Sequence, residues 1–141
     1  MAEICWEKLI DKAQKARERA YAPYSHFKVG AALLCGDGSI VCGCNIENVS
    51  YGLTNCAERT AVFSAIAQGK KDFQALVVWA DTAKPIAPCG ACRQVLAELA
   101  PKMPVLLLGQ GEAKILTDVD KLLPQAFDES FLGKESGEDE E

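Results

Sequence analysis

No apolar stretch of this 141-residue chain approaches the roughly 20 residues needed to cross a bilayer, so no membrane role is expected. Positive charge is also scarce: 15 Lys and Arg stand against 20 Asp and Glu. The deficit is local. The final nine residues, GKESGEDEE, hold five acids and one lysine, so they carry four of the five net negative charges and leave residues 1–132 close to neutral. A chain without a basic surplus lacks the field that holds a phosphate backbone, and nucleic acid is not expected as its main partner. The opening stretch MAEICWEKLIDKAQKARERAY shows no apolar core followed by a small-residue cleavage site, so the expectation is a cytoplasmic protein. No internal repeat and no linker interrupts the chain before Leu132. The sequence therefore predicts one domain over 1–132 and an acidic, solvated tail over 133–141 with no catalytic part.

What the sequence does have is globular composition, 49% hydrophobic and 25% charged, at a length that buries about two thirds of the unfolded surface without a covalent staple. It also has seven cysteines: Cys5, Cys35, Cys42, Cys44, Cys56, Cys89 and Cys92. In a reducing compartment Cys5, Cys35 and Cys42 read as small buried or half-buried hydrophobes, and Cys44 as structural.

Apolar residues at 4, 6, 9, 10, 13, 16 and 20 follow helical spacing, and Pro23 ends that helix. FKVGAALLC (27–35) and SIVCGCNIE (39–47), joined by Gly36-Asp37-Gly38, read as an antiparallel hairpin. Thr54 or Asn55 can cap a helix from about Cys56 to Gln68, with Gly69 to end it. FQALVVWA (73–80) follows as a buried strand. A second helix over 89–100 leads to the strand VLLLG (105–109), and a short strand near Ile115 and a helical turn at DVDKLLP complete the series. Alternation of strand and helix implies parallel crossovers. The fold class expected is α/β: a single three-layer α/β/α domain around a mixed sheet of about five strands.

Both crossover helices begin at cysteine, in TNCAERTA and in PCGACR. Helix starts offer unpaired N–H groups and the positive end of the dipole, which favour thiolate over thiol. Cys89 and Cys92, three apart, share one helical face and can chelate one ion. Three sulfurs from Cys56, Cys89 and Cys92 would leave the fourth position of a tetrahedral metal open, as catalytic zinc requires, whereas a closed structural site needs a fourth ligand, for which His26 and Cys44 are candidates. Glu58, two residues beyond Cys56, can lean toward such a metal without ligating it and move protons there. Arg59 can withdraw charge from a sulfur and keep an electron-rich centre acidic. Two other readings use the same residues: a redox dithiol made of Cys89 and Cys92, which needs neither Cys56 nor Glu58, and a non-catalytic zinc module.

Cys-Ala-Glu followed by Pro-Cys-x-x-Cys resembles the zinc-dependent deaminase signature, for which the three-cysteine pattern is a known variant. The blocks YAPYSHFKVGAAL, GCNIEN, CAERTA and PCGACRQV together resemble the small, homotetrameric cytidine deaminases from about Tyr21 to Phe127. That resemblance implies a cytidine deaminase-like fold and one Zn²⁺ per subunit held by Cys56, Cys89 and Cys92, with Glu58 as proton shuttle. It implies Phe27 against the pyrimidine ring, Asn45 and Glu47 on the sugar 3′-hydroxyl, and backbone groups around Ala57 and Ala87 orienting the ring. Tyr51 and Phe127 would reach a neighbouring subunit's site in a homotetramer. The implied reaction is hydrolytic deamination of cytidine and deoxycytidine, a step of pyrimidine salvage. An antibiotic-directed deaminase shares the metal blocks, and it is SHFKVG and CNIEN that point to a nucleoside.

Overall fold

Strict alternation along three central strands divides the interior into two cores. In the computed structural model, which describes residues 3–132, Val29, Ala31 and Leu33 of β1 (Val29–Leu34) face one side, and Ala32 faces the other. Leu76, Val78 and Ala80 of β3 (Ala75–Ala80) join the first group, as do Val105 and Leu107 of β4 (Pro104–Leu108). Val77, Trp79, Leu106 and Leu108 join the second. Strands apolar on both faces must be covered on both. α1 (Trp6–Arg17) covers the second face through Leu9 and Ala13; α2 (Ala57–Ala67) and α3 (Gly90–Leu99) cover the first through Ala61, Val62, Ala65 and Leu96. The expected three-layer α/β/α arrangement is the one found.

The sheet has five strands in the order β2-β1-β3-β4-β5, where β2 is Ile40–Cys44 and β5 is Lys114–Asp118. β1 runs antiparallel to both β2 and β3, and β5 antiparallel to β4; β3 and β4 are parallel, joined across α3. β2 and β3 therefore point the same way with β1 between them, and α2 makes the crossover. The hairpin lies at the expected turn, with Leu34 opposite Ile40. Gly69 ends α2 as predicted: at φ +79° its N–H reaches Ile66 O and the next N–H, of Lys70, reaches Ala65 O, closing the helix. α4 is one turn, Val119–Leu122.

Three local expectations are corrected: the cap of α2, and the burial of Cys5 and of Cys42. α2 is not capped by Thr54 or Asn55; Cys56 is itself the residue before the helix. Cys5 and Cys42 are exposed, while Cys35 is buried and Cys44 half-buried. Cys42 lies outside the core because β2 is an edge strand, and Cys5 because it precedes α1. The acidic tail expected over 133–141 lies outside the described residues. Among the described residues no helix is long and apolar enough to cross a membrane.

Candidate metal centre and its cleft

α2 can carry chemistry only if it lies flat against the hairpin, and Gly43 permits that. A β-carbon at Gly43 would stand 2.4 Å from Ala61 N and 2.6 Å from Ala57 O, so only glycine admits the helix at this depth. The start of α2 then meets the start of α3 at one end of the sheet.

Cys56 and Cys89 each sit immediately before their helix in extended backbone, and neither side chain caps it. Cys92 lies one turn into α3 and is fully buried. The sulfurs of Cys56 and Cys89 are 3.7 Å apart and those of Cys89 and Cys92 3.6 Å, with all three within 4.8 Å of one another. Zinc–sulfur bonds of about 2.3 Å at tetrahedral angles set sulfurs about 3.8 Å apart. The cluster fits that ion in both donor type and spacing.

Among the described residues the metal-ligating group contains these three cysteines alone. Neither alternative fourth ligand joins it. Cys44 follows Gly43, whose missing side chain points to α2, so Cys44 faces the opposite side of the sheet, beside Lys12, Lys15 and Arg19. His26 is exposed in a turn at φ +57°.

Hydrogen bonds from the Cys92 thiol, from Arg59 and from Cys89 hold the Cys56 thiol down, to about 5. Cys92 moves the opposite way, because it donates to the Cys56 thiolate and is buried. Arg59 Nη2 donates to Cys56 Sγ at 3.4 Å, and interaction with Cys56 and Cys92 strengthens its hold on its proton. Arg59 thus lies against one sulfur of the cysteine cluster. Glu58 is 5% exposed, and its carboxyl is pushed up to about 7, first by burial and then by the negative charge on Cys56. The loop before α2 is tied by Thr60, whose hydroxyl donates to Cys56 O at 3.1 Å while Asn55 Nδ2 donates to that hydroxyl at 3.2 Å. On the other side Arg93 holds the cysteine loop, Nε to Pro88 O at 2.8 Å and Nη1 to Leu122 O at 2.9 Å.

A cleft of about 330 Å³ opens beside the sulfurs. Phe27, Asn45, Glu47, Cys56, Ala57, Glu58, Ala87 and Cys89 all border it, so most of the residues singled out in the sequence converge there. Asn45 is buried and clasps the start of β1: its Oδ1 accepts from Val29 N at 2.9 Å and its Nδ2 donates to Phe27 O at 2.6 Å. Glu47 accepts from the backbone N–H groups of Tyr24 and Ser25 and from the Ser25 hydroxyl, and the hydroxyl bond holds its carboxyl below the usual range. An outer recess of about 380 Å³ continues the cleft past Ser25, Glu47 and Thr54 to Tyr24 and Tyr51, whose rings meet edge-on at 6.3 Å. Phe127 does not border the cleft; it stacks on Phe131 at 5.7 Å, its carbonyl held by Gln94. Ser25, Val29, Thr54 and Ile86 also line the cleft, and none of them is singled out by the sequence as a site residue. Ser25 carries a local signal, since its hydroxyl accepts from the N–H two residues on, at Phe27, a serine-turn habit.

Comparison with known proteins agrees with this geometry. Residues 4–108 match the family model described as the cytidine and deoxycytidylate deaminase zinc-binding region. The chain is 59% identical over 121 residues to a cytidine deaminase of Halalkalibacterium halodurans, covering 84% of this chain and 91% of that one. A crystal structure of cytidine deaminase from Burkholderia pseudomallei superposes with TM-score 0.85 at 53% identity, covering 88% of this chain and 100% of that one. A blasticidin-S deaminase of Bacillus cereus is 30% identical over 127 residues, 84% of this chain and 89% of its own. The chain belongs to the cytidine and deoxycytidylate deaminase zinc-binding family.

Proposed function

We propose that this chain is a zinc-dependent hydrolase of free cytosine nucleosides, converting cytidine and deoxycytidine to uridine and deoxyuridine with release of ammonia. One observation carries the reading: three sulfurs at zinc spacing, two of them bordering a cleft that a buried carboxyl, Glu58, also lines, have no fourth ligand beside them among the described residues. A site left open on the cleft side is one that can present water to a substrate. The higher identity to a cytidine deaminase than to a blasticidin-S deaminase favours cytidine over that antibiotic as the substrate.

Cys56, Cys89 and Cys92 would hold the ion, whose chemistry is to acidify a water so that it becomes a nucleophile near neutral pH. Glu58 takes a proton from that water and delivers it to N3 of the ring, which makes C4 electrophilic. After attack at C4, Glu58 carries the second proton to the exocyclic nitrogen, and the C4–N bond breaks to release ammonia. A carboxyl held near neutrality suits a group that must both take and return a proton. Arg59 draws charge from Cys56 and offsets part of the negative charge of three thiolates. Phe27 packs against the pyrimidine, with Ala57 and Ala87 bordering the ring's edge through their backbone. Asn45 and Glu47 receive the sugar, and their target is the 3′-hydroxyl, which both nucleosides carry.

The assembly we read is a homotetramer with sites at subunit interfaces, in the cytoplasm, where seven free cysteines remain reduced. Support comes from apolar groups left in water: Val49, Tyr51 and Leu53 are 74%, 76% and 71% exposed near the recess, and Phe127 lies away from its own chain's cleft. Sizing the active protein in solution checks this, and a fully active monomer would remove it. For the activity, the fall of the cytidine ultraviolet band is followed with and without a zinc chelator. Loss on chelation and recovery with added Zn²⁺ are expected; turnover indifferent to the chelator contradicts the reading.

A further inference from the structure

A carboxylate offers about four lone-pair positions. On Glu47, Oε1 takes two N–H donors, Tyr24 N at 3.0 Å and Ser25 N at 3.2 Å, while Oε2 takes the Ser25 hydroxyl. Oε2 therefore keeps the position free for a ligand, on a side chain that borders both the cleft and the recess. The direction of the Ser25 hydroxyl is fixed in turn, because its oxygen accepts from Phe27 N at 3.0 Å. A relay runs from Phe27 N–H through the Ser25 hydroxyl to Glu47, joining the residue that faces the ring to the residue that faces the sugar.

We propose that Ser25 is the positioning residue that aims Glu47 Oε2 at the substrate's 3′-hydroxyl and sets how far the site requires that hydroxyl. This rests on the reading of Glu47 as a sugar contact. Ser25 is exposed, so losing its hydroxyl leaves Phe27 N–H and Oε2 open to water and costs the fold little, while the carboxylate loses its aim.

The test compares cytidine with 3′-deoxycytidine in zinc-loaded protein. Ser25→Ala is expected to raise KM for cytidine about tenfold, the worth of one charge-assisted hydrogen bond, with kcat within about twofold. Turnover of 3′-deoxycytidine is expected to stay within about twofold, and Ser25→Ala added to Glu47→Gln is expected to cost nothing further. Ser25→Thr, which keeps the hydroxyl, is expected to restore the preference for cytidine, and the isosteric Ser25→Val to lack it; this pair decides the question if the alanine variant does not fold. Equal loss on both substrates, no loss, or a further loss on top of Glu47→Gln overturns the role of Ser25 while the sugar contact stands. Wild-type protein that does not distinguish the two substrates overturns the sugar contact and Ser25's role with it.

Discussion

Arg59 donates from Nη2 to the sulfur of Cys56 at 3.4 Å, so the four successive residues that open α2, from the cysteine before the helix onward, bring together a cluster sulfur, a carboxyl and a countercharge. Removing the countercharge would leave three thiolates crowded around an ion held there. Arg59→Gln is expected to weaken zinc binding and turnover by about 10–100-fold, as losses in the surroundings of a metal typically do. Competition against a chromophoric chelator gives the first quantity and a deamination assay the second. Arg59→Lys is expected to recover only part of the loss, because a point charge does not reproduce the guanidinium fork.

Gly43 makes a second prediction about α2. With a methyl group 2.4 Å from Ala61 N, Gly43→Ala must push the helix off the hairpin, at a cost of about 1–3 kcal/mol by analogy with overpacked cores. For a domain this size the melting temperature is expected to fall by roughly 3–10 °C. Because α2 carries Glu58 and starts directly after Cys56, activity measured well below the melting temperature is expected to fall as well. Full activity in a destabilised variant would show that the site tolerates movement of α2.

Glu58 makes stability depend on pH in the metal-free protein. Its folded-state value is raised from 4.5 to about 7, so the unfolded chain releases the proton first as pH rises. Its contribution to stability is therefore present below about 4.5, declines as pH rises, and is fully lost above about 7. Glu58→Gln is expected to be more stable than the parent at pH 8 by about 1–3 kcal/mol, with the gap narrowing toward pH 5. Urea unfolding with chelator and reductant at the two pH values measures the gap. The Cys56 thiolate, held down to about 5, acts in the opposite sense, and comparing the two proteins at each pH separates the effects.

Arg93 ties Pro88 O, beside Cys89, to Leu122 O in the C-terminal segment. Arg93→Ala releases both carbonyls and is expected to cost about 1–3 kcal/mol and to loosen both segments. Hydrogen exchange is expected to rise over 86–92 and 122–127 together; a rise confined to one would show that they move independently.

Much of this was legible in local sequence. The period-two pattern of β1, β3 and β4 gives the buried sheet, Gly69 gives the end of α2, and the two cysteine-led helix starts give the metal cluster. The α2 cap was misread because Asn55 and Thr54 look like caps in isolation; in the fold Asn55 supports Thr60, and Thr54 accepts from Asn48 N. Long-range partnerships left no local trace. Ser25 and Glu47 are 22 residues apart, Arg93 and Leu122 are 29, and only the folded chain brings each pair together. Cys44 could have been excluded as a ligand from sequence, since strand alternation puts it opposite Gly43.

The most direct test of the account is ammonia release from cytidine by Glu58→Gln protein carrying one zinc per chain. A folded, fully zinc-loaded protein slower than wild type by about 10²–10⁴-fold is expected, the usual worth of a general acid–base group. Deamination within a few-fold of wild type in that metal-loaded variant would contradict it.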